Sequence, residues 1–221
     1  MNNERAMRGA SMVLLLIVSL SAFHCGVTQP VRVLAEGESQ ISGSLGGPFI
    51  PTRSATIPVP YLNVGYVHGY DERVTLTGNV HLLPLLFGDA GLDAGAAVRI
   101  MRQDNFIPEL TAKGQLTFFC NFRNTLEPRV YPQGSLNASY RIGQSSLLYV
   151  GADNLFQSSS PSYLFSPFVG YQFPLGERWN GQIETKWLAA NVNTSTGIFE
   201  GHSNISNHGN TSIFFGLLYT L

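Results

Sequence analysis

Thr211-Ser-Ile-Phe-Phe-Gly-Leu-Leu-Tyr-Thr-Leu221 is the stretch whose reading decides the fold. As a strand it puts Ile213, Phe215, Leu217, Tyr219 and Leu221 on one face. Ser212, Phe214, Gly216, Leu218 and Thr220 take the other. A long apolar strand left at a sheet edge offers its unpaired backbone to other chains. Pairing the last strand with the first removes that edge and closes a barrel.

The same alternation recurs upstream. It is weakest in Glu36–Leu45, and a loop follows at Gly46–Thr56 with Pro48 and Pro51. Tyr61–Tyr70 and Arg73–Leu83 are joined by the tight Asp71-Glu72 turn, and Pro84–Gly91 reads as a loop. Leu92–Met101 and Glu109–Phe122 come next, then a loop at Phe122–Pro132. Gln133–Gly143, Ser146–Asn154, Tyr163–Phe173 and Arg178–Ala190 complete the set before the polar stretch Asn191–Asn210. Pro167 falls inside one of these strands and predicts a bulge there. Strands of about ten residues suit a tilted bilayer crossing, whereas soluble strands cluster near about five or six.

Every charge on these strands falls on the polar face. Arg73, Arg99, Lys113, Arg141 and Lys186 stand there with Asp93, Glu109, Asp153 and Glu184, and with His81. The opposite face carries Leu76, Val80, Val98, Leu116, Leu148, Ile183, Phe215 and Leu217. An apolar outside and a near-balanced polar inside is the inversion that lipid demands. Connections alternate short and long, as in barrels with turns on one side and loops on the other. Tyr70, Tyr140, Tyr171 and Tyr219 fall near the turn-side ends, where an interfacial aromatic girdle belongs. Together these features predict an all-β, antiparallel, up-and-down transmembrane barrel of about ten strands, with eight as the alternative.

Composition agrees. Charged residues make up 12% of the 221, glycine is abundant at 23, and the net charge is −1. A basic stripe for nucleic acid is absent from such a chain. The N-terminus has an export signal's order: Arg5 and Arg8, an apolar core over Met12–Leu20, then Ser21-Ala22-Phe23-His24 before Cys25. The expected division is a signal peptide at 1–24, a short periplasmic linker at 25–34 and the barrel at 35–221. A Cys25–Cys120 disulfide is disfavoured, because Cys120 falls on an apolar strand face.

The alternation of Thr211–Leu221, with Tyr219 two places before the end, resembles the C-terminal strand of bacterial outer-membrane β-barrel proteins. Those usually end in Phe or Trp, where this chain has Leu221. The resemblance implies outer-membrane lipid and the barrel-assembly machinery as partners, the latter through Thr211–Leu221. The sequence before Cys25 resembles a lipoprotein cleavage site, which would make Cys25 the lipidated first residue. His24 and Ala22 depart from that pattern.

No phosphate loop, paired metal-spaced cysteines or nucleophile elbow appears, and no cofactor is expected. Glu200, His202 and His208 could meet at a metal, but loop histidines among Asn, Ser and Gly are ordinarily solvated. The four Asn-x-Ser/Thr sequons (Asn137, Asn193, Asn204, Asn210) arise readily by chance in such loops. His81 and Asp93 on neighbouring polar faces lack a third partner at fixed spacing, so lumen packing is the expectation. The function expected is structural, adhesive or narrow-pore. A secreted soluble β-sandwich binding module is the alternative, and an outer-membrane enzyme the third reading.

Overall fold

The computed structural model describes residues 26–51, 56–58, 60–122, 128–143, 145–193 and 205–221. The strands are β1 (Ser39–Pro51), β2 (Thr56–Pro58), β3 (Tyr61–Gly69), β4 (Val74–His81), β5 (Asp89–Met101) and β6 (Glu109–Asn121). They continue as β7 (Pro128–Ile142), β8 (Ser146–Phe156), β9 (Tyr163–Pro174), β10 (Trp179–Asn193) and β11 (His208–Thr220). Apart from β2, each strand pairs antiparallel with its neighbours in chain order, and β1 pairs with β11. The result is a closed ten-stranded barrel. The seam runs from Gln40↔Thr220 to Pro48↔Ser212. This closure excludes the two-sheet sandwich, which needs separate packed sheets.

Period-two alternation builds the wall as expected. Leu76, Val80, Val98, Leu116, Leu148, Ile183, Phe215 and Leu217 are all exposed on the outside. Thr75, Thr77, Thr111, Gln115, Thr117, Ser139, Gln182 and Ser212 are buried inside. Tyr70 and Tyr171 are exposed near the turn end. There Tyr140 donates its hydroxyl to the Asn105 carbonyl, and Tyr219 packs on Trp179 with ring centroids 4.7 Å apart.

Several boundaries differ from the sequence reading. β1 runs through Gly46 to Pro51 where a loop was expected. The β3 ladder ends at Gly46↔Tyr61 and β2 takes up that edge only from Phe49↔Pro58, so Pro48 falls in the gap between the two ladders. Leu82–Phe87, expected as strand end and loop, is a short helix, α1, with Pro84 in its first turn and Gly88 closing it at φ 88°. β7 begins at Pro128, and the long polar stretch shortens because β10 reaches Asn193 and β11 starts at His208.

Pro167 produces no bulge in β9, which pairs with β8 without a shift. The irregularity lies across the gap, in β10. The β9–β10 ladder stops at Lys186↔Phe168, Ala189 turns to φ 49°, and the β10–β11 register shifts between Leu188 and Asn193. A proline cannot donate to its neighbour, so the neighbour departs.

Candidate functional site: the lumen and the segment inside it

Residues 26–34, expected as a linker outside the barrel, lie within the lumen. Gly26, Val27, Thr28, Gln29, Pro30, Val31 and Val33 are buried. From Ala35 at the turn end the segment climbs past the middle of the wall to Gly26, beside Asn63 and Ser44 near the loop end. The physical cause is the lumen's inventory: inward amides, hydroxyls and charges need partners once water is excluded. An irregular backbone segment supplies both donors and acceptors.

The contacts form tiers. At the turn end, Arg32 donates to Ser139 Oγ at 2.9 Å, to the Ser139 carbonyl at 3.0 Å and to Gln103. Arg99 donates to the Val33 carbonyl at 3.2 Å and lies 3.4 Å from Glu109. The Leu34 amide donates to Thr75 Oγ1 at 2.9 Å. Higher up, Asn137 donates to the Val31 carbonyl at 2.6 Å, and Lys113 to the Gln29 carbonyl at 2.8 Å. Gln182 donates to the Thr28 carbonyl at 3.1 Å and accepts from Gln29 at 2.5 Å. The Thr28 amide donates to Glu184 at 2.9 Å.

Apolar contacts seat the same segment. Val31 packs with Leu147, Tyr149 and Phe168, and Val27 with Tyr61 and Phe214. Gly216 makes room for Val27: a Cβ there would come within 2.9 Å of the valine methyl.

Lys186 sits at the centre, fully buried. Its Nζ is 2.6 Å from Asp153 and 3.1 Å from Glu184, with the Phe168 ring centroid at 5.1 Å. Glu184 also accepts from Tyr149 at 2.8 Å, and Asp153 from Ser135 at 2.6 Å. Nearer the loop end, His81 Nε2 lies 2.9 Å from Asp93, and its Nδ1 is 2.7 Å from the Tyr61 hydroxyl. Phe119 packs against that imidazole. Both histidine nitrogens are engaged and the ring is sealed from solvent, an arrangement that welds strands together.

The structure therefore brings His81 to Asp93, Arg99 to Glu109, and Lys186 to Asp153 and Glu184. Lys113 joins the lumen through a backbone carbonyl rather than an acid. Arg73 and Arg141 are not in the interior network. Arg73 precedes β4 at the exposed Asp71 turn, and Arg141 is exposed near the end of β7. Reading alternation to the last residue of a strand overlooks that rim side chains face water whichever way they point.

Gln182, Asn137 and Tyr149 were missed as site residues because they are uncharged. Inward amides in the middle of strands were the available signal. Cys120 is a free thiol. Among the described residues no group of three metal-binding side chains gathers. Cys25, Glu200, His202 and the export signal lie outside the described residues.

A closed sheet, apolar outside and hydrogen-bonded inside, is the architecture of a transmembrane barrel. No protein-family model and no curated protein sequence matches this chain. Among solved structures it is similar to an outer-membrane channel from Pseudomonas putida F1, at 9% identity and TM-score 0.47, over 88% of this chain and 99% of that one. It is also similar to the translocator domain of the autotransporter NalP from Neisseria meningitidis, at 11% identity and TM-score 0.43, over 98% and 97%. The NanC porin aligns at 9% identity and TM-score 0.45, over 83% and 100%. These are likenesses of shape alone.

Proposed function

We propose that this chain is an integral protein of the bacterial outer membrane whose barrel is closed by its own N-terminal segment. It serves as a structural or adhesive platform through its loop end and does not act as a diffusion pore or an enzyme. Outer-membrane lipid is its solvent. The strand Thr211–Leu221 is the element offered to the barrel-assembly machinery.

One observation carries the reading: Gly26 to Val33 lie inside the lumen and are hydrogen-bonded to β5, β6, β7 and β10. A water path there would strand several buried carbonyls and amides, each costing about 1–3 kcal/mol when unpartnered.

Planar-bilayer recording of the refolded protein tests it. The intact chain should give no stable conductance steps, and deletion of residues 26–34 should create them. Equal conductance from both proteins would sink the closed-barrel reading.

A further inference from the structure

The turn-end mouth differs from the rest of the lumen in how its cations are matched. A cavity of about 670 Å³ is walled there by Arg32, Arg99, Arg102 and Arg141, with Glu109 and Asp104 as its acids, and the adjoining cavity at the same mouth adds Glu36, Glu38 and Glu72. Glu109 is taken by Arg99 at 3.4 Å, and Arg102 reaches out of the cavity to Glu72 at 2.7 Å. Asp104 accepts from Asn105 at 3.1 Å.

Arg32 has only neutral acceptors, Ser139 and Gln103. Gln103 also accepts the Arg141 backbone amide at 2.8 Å, so one side chain joins the Arg32 guanidinium to the β7 rim. The Arg141 guanidinium forms no hydrogen bond or ion pair with the described residues.

We propose that this mouth binds a phosphate-bearing ligand, with Arg32 and Arg141 as its principal contacts and Arg99 and Arg102 as flanking charges. The guanidinium fork matches a phosphate's oxygens two at a time. A phosphate carries about −1.5 to −2 charge, enough to answer two cations that make no direct carboxylate contact among the described residues, Glu109 acting on Arg32 only through space. Arg32 is held rigidly by the lumen segment, so little side-chain freedom is lost on binding. The cavity opens at the barrel mouth and not through the lipid-facing wall, which favours a soluble phosphorylated compound over a lipid headgroup.

The test uses the folded full-length protein in maltoside micelles, free of phosphate detergents, at constant ionic strength. Inorganic pyrophosphate is titrated calorimetrically, and short-chain phosphatidic acid is titrated in parallel in mixed micelles. Saturable pyrophosphate binding is expected, weakened at least tenfold by Arg32→Gln with Arg141→Gln and unchanged by Arg129→Gln at the opposite end. Should the double variant fail to fold, Arg141→Gln alone suffices, since that side chain supports no internal contact; at least a threefold loss is expected. Binding of phosphatidic acid only, lost in the same variants, would retain the phosphate site and assign it to a headgroup. No saturable binding of either probe, or equal binding by the variants, overturns the proposal.

Discussion

Lys186 and Arg32 are both cations inside one barrel, yet they are treated in opposite ways. Lys186 is fully buried between two carboxylates and beneath aromatic rings. Arg32, in the turn-end tier, is held by a serine and an amide and makes no direct carboxylate contact among the described residues. The difference follows from water. In the sealed middle an unmatched charge would cost several kcal/mol, so ion pairing is compulsory there. At the mouth solvent screens the charge, and a cation can be left available. Interior charge in this barrel is structural at the centre and ligand-ready at the rim.

Three substitutions sharpen or break that contrast. Lys186→Met leaves Asp153 and Glu184 facing each other without their cation, and should cost about 3–5 kcal/mol. The readout is a lowered urea midpoint, with loss of the heat-dependent gel shift; an unchanged midpoint would mean the centre is as permissive as the rim. Asn137→Ala removes the donor to the Val31 carbonyl and should cost about 1–3 kcal/mol. Hydrogen exchange should quicken at residues 31–33, and if the outer wall quickened equally, the segment would not be a separately held unit. Arg102→Gln removes an exposed pair with Glu72 and should shift the midpoint by no more than about 1 kcal/mol. A loss comparable to that of Lys186→Met would show the mouth welded like the centre.

The wall was legible because its signal is local. Alternation at period two, tight turns such as Asp71-Glu72 and the strict segregation of charge all lie within a dozen residues of one another. Even the weakly patterned β1 follows from closure, since a tenth strand is needed to bring both barrel ends to the same side. The segment in the lumen was not legible. Val27-Thr28-Gln29-Pro30-Val31-Arg32-Val33 has a single breaker in Pro30 and no sustained period, and its partners lie far along the chain. Thr28 meets Glu184 across 156 positions and Val31 meets Asn137 across 106. Helix α1 was hidden for another reason: Leu-Leu-Pro-Leu-Leu-Phe is apolar throughout, and Pro84 is compatible with a loop or a first helical turn alike.

The direction of the lumen segment also constrains the order of events during assembly. Its C-terminal end runs straight into β1, one of the two seam strands, while the other seam strand is the last of the barrel strands. Joining Gln40 to Thr220 is the longest-range pairing in the wall, and loop-closure entropy makes such pairings late. The segment is thus tethered beside an open sheet for as long as the sheet stays open. Wrapping the wall around a tethered guest avoids dragging Arg32 and a row of unpaired amides through a finished tube. A sheet whose seam closes last would curl around the segment as around a mandrel, meeting its valines and amides as the seam forms.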